Sequence, residues 1–543
     1  MKVKQLLLGD EAFALGAIEA GLSGAYAYPG TPSTEILEFV QQNQLATERR
    51  IHSRWSSNEK TALEEALGMS FCGKRSIVSM KHVGLNVAAD PFVNSAFTGV
   101  NGGMLVVVAD DPSMHSSQNE QDTRFYADFA MLPLLEPSTQ QEAYDMAAAG
   151  FELSERLKVP VVVRFVTRLS HSRAVVTSVE NPRPENPLSY PADPRRWVLM
   201  PGNSRVRYKQ LIAEQDLMVD EAERSPFNRW NGGTDTRLGI AVSGIAANYL
   251  DELFPGGSCP FPVVKIAQYP LPVKMLGRLA ETADRIVVIE EGQPYIEQHL
   301  RGTLDNGAVP IHGKLDGYLP RTGELTPDDV RSAIRRLAPW LVTIDDVTAK
   351  SASEIVAPRP PALCQGCGHR DVYDALNEVL ARYDSPKVFG DIGCYTLGWL
   401  SPFNAIDTVV DMGASITMAK GAADAGQHPA VAIIGDSTFT HSGMTGLLDA
   451  VNENTPVTII ISDNLTTGMT GGQDSQGTGK LEDICRGIGV DPAHVCTIDS
   501  HPRNHADLTD LFAREIEYQG VSVIVARREC IQTARRHAKQ KKQ

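Results

Sequence analysis

The chain has 543 residues, of which 42% are hydrophobic and 22% charged, as in a soluble globular protein of about two to four domains. Its formal net charge of −15 argues against broad binding to nucleic-acid phosphates. No apolar run of about 18 or more residues predicts a membrane span, and the start of the chain lacks the pattern of a signal peptide. Eight cysteines in so long a chain do not form a disulfide framework, so we expect a cytoplasmic protein.

Alternating helical and β-rich patterns predict three α/β blocks. In residues 1–190, the helical patterns EAFALGAIEAG and NEKTALEEALGMSF alternate with the apolar runs RSIVSM, MLVVVAD and VPVVVRFV. Such alternation predicts a mostly parallel sheet. A smaller α/β block is expected at 197–337, a Pro-rich linker at 338–361, and a third block at 362–530 with strands AVAIIGD, VTIIISDN and VSVIVARR. The basic tail, 531–543, is predicted to be disordered.

Two strands of the third block end in polar residues, in IIGDSTF and IIISDNLTTG. Ligands bind at the carboxyl ends of parallel strands, so Asp436 and Asn464 can offer oxygens to one cation, and Mg²⁺ prefers such ligands. The small residues Gly435 and Ser437 allow backbone to approach a diphosphate. This pattern resembles the thiamine diphosphate motif, in which Asp436, the Asn464 side chain and the backbone carbonyl of Thr466 would hold Mg²⁺. The alternative is an ordinary Asp-containing turn and a strand end.

Enzymes that use thiamine diphosphate need a buried carboxylate beside N1′ of the aminopyrimidine ring, to favour the tautomer that activates the coenzyme. The candidate is Glu59, at the start of the amphipathic helix in SSNEKTALEEALGMS. Glu64 and Glu65 lie on the same helix and are expected to be solvated or structural. The alternative for Glu59 is an acid of the first helical turn, favoured there by the helix dipole.

Cysteines crowd around the start of the third block: Cys364 and Cys367 form a C-x-x-C, and Cys394 follows in GDIGCYTLG. C-x-x-C suits zinc, a redox disulfide or an iron–sulfur cluster. A [4Fe–4S] cluster takes four thiolates and accepts single electrons, and Cys530 is the fourth candidate. One alternative is a zinc site completed by Cys394 and by either His369 or a distant cysteine, and the other is no metal at all. The remaining cysteines are expected in ordinary core positions: Cys72, Cys259, Cys485 and Cys496.

Longer segments carry a family resemblance. LLLGDEAFALGAIEAG, YPGTPSTEI, MKHVGLNVAADP and VVVADDPSMHSSQNEQDTR match in the first half, and CQGCGHR, GDIGCYTLG, DMGASITMAKGAADA and GDSTFTHSGMTGLLDAVNEN in the second. The chain resembles the large subunits of the indolepyruvate:ferredoxin oxidoreductases, within the thiamine diphosphate-dependent 2-oxoacid:ferredoxin oxidoreductases. The resemblance covers nearly the whole chain. It implies α/β, transketolase-like parallel-sheet domains in the order pyrimidine-binding (1–190), middle (197–337) and diphosphate-binding (362–530).

The resemblance also implies roles for individual residues. Thr31 of YPGTPST would contact substrate or coenzyme, and Glu59 would be the N1′ glutamate. The coenzyme contacts would include Gly435, Ser437, Gly468 and Met469. The ligands of the cluster nearest the coenzyme would be Cys364, Cys367, Cys394 and Cys530. Three histidines are candidate proton donors or substrate contacts, with a structural role as the alternative for each: His82, His115 and His441.

The implied reaction is the oxidative decarboxylation of an aryl 2-oxo acid to its acyl-coenzyme A, with electrons passing through a [4Fe–4S] cluster to ferredoxin or another carrier. A smaller subunit and homodimerisation of the large subunit are expected, in a heterotetramer.

Two features of the sequence depart from the pattern of the family. No C-x₂-C-x₂-C-x₃-C-P run is present, so electrons are expected to leave through a partner or a separate carrier, and Gln365 stands where proline is frequent. A non-oxidative thiamine diphosphate decarboxylase or lyase, and a regulatory subunit without turnover, are the competing hypotheses.

Overall fold

The computed structural model describes residues 3–303, 309–341 and 361–540. The chain forms two compact units, Met1–Thr348 (the N-terminal unit) and Ala349–Gln543 (the C-terminal unit). Most of the expected linker, residues 342–360, lies outside the described residues. Among the helices of the described ranges, none combines the length and apolar character needed to cross a membrane.

The N-terminal unit alternates strands and helices. Its strands are β1 (Lys4–Leu8), β2 (Leu22–Ala27), β3 (His52–Trp55), β4 (Arg75–Lys81), β5 (Met104–Asp110), β6 (Leu134–Leu135), β7 (Val161–Val166), β8 (Arg173–Thr177), β9 (Arg229–Asn231), β10 (Gly239–Ser243), β11 (Val263–Ile266), β12 (Gln268–Tyr269), β13 (Ile286–Ile289) and β14 (Ile311–His312). Its helices are α1 (Gly9–Glu19), α2 (Thr34–Gln42), α3 (Gln44–Glu48), α4 (Glu59–Phe71), α5 (His82–Val87), α6 (Ala89–Thr98), α7 (Thr123–Phe129), α8 (Gln140–Leu157), α9 (Thr167–His171), α10 (Pro201–Ala213), α11 (Gln215–Glu223), α12 (Ala246–Leu253), α13 (Val273–Thr282), α14 (Tyr295–Thr303) and α15 (Pro327–Leu337).

Two main sheets organise this unit. The seven-stranded sheet has the order β12-β6-β7-β5-β4-β2-β3 and is parallel except for β12 against β6. Strands β4, β5 and β7 are buried along their whole length, as expected for parallel strands covered by helices on both faces. The five-stranded sheet has the order β14-β13-β10-β11-β9, and β1 pairs with β8 separately. Strand β12 comes from the middle block but extends the first sheet, and one continuous apolar core joins both.

The C-terminal unit is built on one six-stranded parallel sheet. Its strands are β15 (Lys387–Gly390), β16 (Thr408–Val409), β17 (Ala430–Gly435), β18 (Val457–Asp463), β19 (Val495–Asp499) and β20 (Val521–Arg527). Its helices are α16 (Gly368–Leu380), α17 (Ala414–Asp424), α18 (Asp436–Thr438), α19 (Met444–Asn452), α20 (Leu481–Ile488), α21 (His505–Ile516) and α22 (Ile531–Gln540). The strand order is β16-β15-β17-β18-β20-β19. The predicted α/β class and parallel sheets are therefore confirmed.

The prediction of a disordered tail was wrong for residues 531–540, which form α22. The composition of this segment is polar and basic, but two tertiary contacts anchor it. The Ile531 side chain packs over Gly366 of the C-x-x-C loop, where an added Cβ would meet Ile531 Cδ1 at 3.2 Å. Arg536 donates a hydrogen bond of 2.7 Å to the Gly471 carbonyl. Tertiary contact, which composition does not report, orders the helix.

Buried ion pairs lie at the carboxyl ends of β5 and β7. The Arg164 guanidinium is fully buried and donates to Asp110 at 2.6 Å and to Glu136. Arg124, also fully buried, pairs with Asp122 and with Glu290, and Asp122 in turn lies 3.5 Å from Arg164. Because an uncompensated charge is costly in an apolar interior, each of these groups depends on its partners.

We predict that Arg164→Met lowers the free energy of unfolding by about 3–5 kcal/mol, because it leaves Asp110 and Glu136 buried without their cation. Urea denaturation followed by circular dichroism measures the change. The control is Arg195→Met, since the Arg195 side chain is 80% exposed and its pair with Asp193 is on the surface. Equal unfolding midpoints for the two variants would contradict the prediction.

Candidate cofactor site

Four neighbouring strands of the C-terminal unit bring the predicted residues to one edge of the sheet. Strands β15, β17, β18 and β20 are adjacent and parallel, so their carboxyl ends share that edge. Cys394 follows β15, Asp436 follows β17, Asn464 follows β18, and Cys530 follows β20. The arrangement is the crevice in which open α/β sheets bind ligands.

Asp436 fits a cation ligand. It begins α18 directly after β17 and is only 2% exposed. Its Oδ2 atom is buried and has no hydrogen-bond partner within the part of the chain that the structure describes. Burial, with a further contribution from Asp463, raises the pKa of Asp436 to about 7. A buried carboxylate with an unused oxygen is expected where a cation binds, because the cation offsets the cost of desolvating the charge.

The Asn464 loop is held in shape by the residues around it. Asn464 Oδ1 accepts a hydrogen bond of 3.1 Å from the Thr466 N–H. Asp463, which is 1% exposed, accepts from the Leu465 N–H at 3.1 Å and from Arg527 Nε at 2.6 Å. Leu465 has a φ of 61°, in the left-handed region that non-glycine residues rarely adopt. The ion pair between Asp463 and Arg527 therefore fixes the carboxylate that holds the turn at Leu465, within the Asn464 loop.

Three other residues of the predicted coenzyme motif, Ser437, Gly468 and Met469, have different surroundings. The Ser437 hydroxyl lies 3.1 Å from that of Thr467, which joins the two strand-end loops. Gly468 lies against the cysteine region, because a Cβ added there would be 3.3 Å from Cys394 Sγ. Met469 differs from these residues, since it is 56% exposed.

Sequence reasoning missed two buried residues beneath this edge, Asp391 and Tyr395. Asp391 is fully buried and accepts a hydrogen bond of 2.7 Å from Ser415 Oγ, and burial raises its pKa to about 8. The Tyr395 ring packs against Gly435, where an added Cβ would lie 2.8 Å from the ring. Asp391 follows β15 in the GDIGC segment, so its place at a strand end was the available signal.

All four predicted cysteines line one solvent-open cavity, together with Asn464 and Gly468. Cys367 caps α16, and its N–H donates to the Cys364 carbonyl at 3.2 Å. Cys530 reaches the cavity because the pairing of β18 with β20 continues past the strands. Its N–H donates to the Asn464 carbonyl at 3.0 Å.

The chemistry of the cavity fits an iron–sulfur cluster. In the described ranges, no three His, Cys, Asp or Glu side chains are grouped so that they could hold a metal ion. Ligands of a four-iron cluster are instead spread around it, each on a different iron. Burial, and then the other three cysteines, raise the pKa of Cys394 to about 12, a cost that bound iron would offset. His369 also lines the cavity, and its buried Nε2 has no hydrogen-bond partner among the described residues.

Thr31, Glu59 and His82 share one edge of the seven-stranded sheet in the N-terminal unit. Thr31 follows β2, Glu59 follows β3 and His82 follows β4, and these three strands are parallel neighbours. Glu59 is 5% exposed and is the first residue of α4, whose Asn58 cap accepts from the Thr61 N–H at 2.9 Å.

Glycine makes room for the Glu59 side chain. Gly84 of α5 lies directly against it, and a Cβ added at Gly84 would be 2.6 Å from both Cγ and Oε1 of Glu59. The buried carboxyl is therefore fixed by the capped start of α4 on one side and by the α5 backbone on the other.

The three candidate histidines have different surroundings. His82 is 1% exposed, with Nε2 3.2 Å from the Asn119 carbonyl and Nδ1 without a partner among the described residues. The His115 side chain is 51% exposed and lies 3.4 Å from Glu324. His441 belongs to the C-terminal unit, where it is buried in the segment after α18.

Lys81 is a further residue that sequence reasoning missed. It is 9% exposed at the end of β4, next to His82, and its ammonium donates to the Ser116 carbonyl at 2.6 Å. Burial lowers the pKa of Lys81 to about 8. The Ser116 hydroxyl lies 3.4 Å from the Thr31 carbonyl, so this ammonium stands beside the Thr31 loop.

Comparisons with known proteins identify the domains in which these residues lie. Residues 15–221 match the family model described as "Pyruvate flavodoxin/ferredoxin oxidoreductase, thiamine diP-bdg". Residues 391–526 match "Thiamine pyrophosphate enzyme, C-terminal TPP binding domain", a range that contains Asp436 and Asn464. Thiamine diphosphate is thus the coenzyme of these domains.

Several curated relatives carry the name "Indolepyruvate oxidoreductase subunit IorA". The protein of Archaeoglobus fulgidus is 37% identical, over 97% of this chain and 86% of its own length. The protein of Methanothermobacter thermautotrophicus is 38% identical, over 97% of this chain and 87% of its own length. The protein of Thermococcus kodakarensis is 37% identical, over 97% of this chain and 85% of its own length. The chain belongs to the indolepyruvate oxidoreductase IorA family, the large subunits of thiamine diphosphate-dependent 2-oxoacid:ferredoxin oxidoreductases.

Proposed function

We propose that the chain catalyses the oxidative decarboxylation of an aryl 2-oxo acid, of the indolepyruvate or phenylpyruvate type, to its acyl-coenzyme A. Electrons leave through a [4Fe–4S] cluster to ferredoxin or another carrier. The observation that carries this proposal is that one cavity is lined by all four cysteines and by Asn464 and Gly468 of the coenzyme motif. A non-oxidative decarboxylase needs the coenzyme motif but no thiolate quartet beside it.

The residues have separate tasks in this proposal. Asp436, the Asn464 side chain and the Thr466 carbonyl hold Mg²⁺ and through it the diphosphate, and the unused Asp436 Oδ2 supports this assignment. Glu59 holds a proton at N1′ of the aminopyrimidine ring. When bound at these residues, thiamine diphosphate would supply the electron sink for loss of carbon dioxide, and a cluster held by the four cysteines would supply one-electron acceptance.

The substrate contacts are assigned to the edge of the seven-stranded sheet in the N-terminal unit. Thr31 and His82 contact the 2-oxo acid, and the buried ends of β2 and β4 keep water away from it. The names of the curated relatives support an indolepyruvate-type substrate and a partner subunit, which we propose to be the smaller of the two. A homodimer of the large subunit and coenzyme A as co-substrate complete the proposal.

The first prediction from this proposal is about four irons per chain, with matching sulfide, after anaerobic purification with the co-purifying partner. Cys364→Ser and Cys530→Ser should each remove the electron paramagnetic resonance signal of the reduced cluster. Cys259→Ser is the matched control, since Cys259 lies in the N-terminal unit with its sulfur 3.9 Å from the Phe261 carbonyl. A preparation that keeps thiamine diphosphate but contains no iron would favour the non-oxidative reading instead.

The second prediction concerns Glu59. Glu59→Gln should reduce kcat of the assembled enzyme about 10²–10⁴-fold, the range for losing an acid–base group, while the coenzyme still binds. Glu64→Gln on the same helix is the control, because the Glu64 side chain is 45% exposed and pairs with Lys60. Full turnover by Glu59→Gln would rule out the role assigned to this carboxyl.

The third prediction uses the glycine behind Glu59. Gly84→Ala should displace the carboxyl and weaken coenzyme binding roughly 10–100-fold, as expected for the loss of a charged hydrogen bond worth about 1.5–3 kcal/mol. Calorimetry with thiamine diphosphate and Mg²⁺ measures the affinity. Gly68→Ala on α4 is the control, since an added Cβ there meets nothing within 4 Å. Identical affinities for both variants would mean that Glu59 does not contact the coenzyme.

A further inference from the structure

Helix α22 begins at the cysteine quartet. Cys530 immediately precedes the helix, and the Ala534 N–H donates to the Cys530 carbonyl at 2.9 Å, as in the first turn of a helix. Ile531 and Gln532, its first two residues, line the cysteine cavity. The helix therefore forms part of the wall of that cavity.

Gln532 contacts a sulfur atom directly. Its side-chain Nε2 lies 3.5 Å from Cys364 Sγ, within hydrogen-bond range for a sulfur acceptor. Cys364 is the exposed member of the quartet, whereas Cys367, Cys394 and Cys530 are partly buried. The amide of Gln532 thus sits on the sulfur that is otherwise most open to solvent.

Such a contact has an electrostatic consequence for bound iron. Reduction adds one negative charge to a cluster, and a donor N–H on a thiolate sulfur stabilises that charge. The N-terminal end of α22 acts in the same direction, because the helix dipole is positive there. No acidic residue occurs in 531–540, while Arg535, Arg536 and Lys539 add positive charge to the helix.

We propose that α22 sets the reduction potential of the cluster held by the four cysteines, through the hydrogen bond from the Gln532 amide to Cys364 Sγ. This inference rests on the proposed function, which supplies the cluster. Gln532 is a positioning residue: it touches a ligand of the cluster and makes reduction easier.

The test is a redox titration of the anaerobically purified complex, followed by electron paramagnetic resonance of the reduced cluster. Gln532→Leu removes the donor at similar size and should shift the midpoint potential to a more negative value than wild type. Gln532→Glu places a negative charge at the sulfur and should shift it further in that direction. Gln532→Lys places a positive charge there and should shift it to a more positive value.

The matched control is Gln519→Leu, which removes an exposed amide of the same unit that donates to the Glu517 carbonyl at 3.2 Å. Its midpoint potential should equal that of wild type. Full iron with an unchanged midpoint in the Leu, Glu and Lys variants would overturn the inference. Loss of iron from all three would overturn it as well, since the helix would then retain the cluster rather than tune it. Wild-type protein without iron would instead overturn the proposed function itself.

Discussion

The parallel pairing of β15, β17, β18 and β20 is the constraint on which the C-terminal unit depends. Parallel strands end at the same edge, so residues far apart in sequence meet there without any long loop having to bring them together. The register of the strand pairing matters for this meeting of residues as much as the parallel direction of the strands. Asp463 pairs with Arg527 across β18 and β20, and continuation of this pairing places the Cys530 N–H on the Asn464 carbonyl.

The same edge concentrates groups that are unfavourable when buried alone. Asp436 carries an oxygen without a partner among the described residues, and Cys394 lies among three other thiols. Under the proposed function, metal and coenzyme would compensate these groups, and a ligand that binds only the folded protein stabilises it by mass action. The starts of α16 and α22, each preceded by a cysteine, add positive helix-dipole ends beside the quartet. Under the proposed function, binding of the coenzyme and metal therefore also stabilises the folded C-terminal unit.

Strand patterns and motif spacing were enough to predict the parallel α/β sheets and to place Asp436 and Asn464 at the ends of neighbouring strands. They succeeded because apolar runs ending in polar residues report directly on strand ends. The helix at residues 531–540 could not be predicted, since its own residues are polar and its order comes from Gly366 and Gly471, far away in sequence. Lys81 was missed for a similar reason, because its burial depends on the Ser116 loop.

One hydrogen bond connects the two chemistries assigned to the C-terminal unit. Asn464, the proposed Mg²⁺ ligand, accepts through its carbonyl the N–H of Cys530, a proposed ligand of the cluster. Gly468 lies against Cys394 and close to the Asn464 amide. Because backbone links of this kind are short and stiff, a displacement of the coenzyme loop must also displace the quartet. Under the proposed function, the sheet therefore holds the coenzyme loop and the cluster ligand Cys530 in a fixed relative geometry.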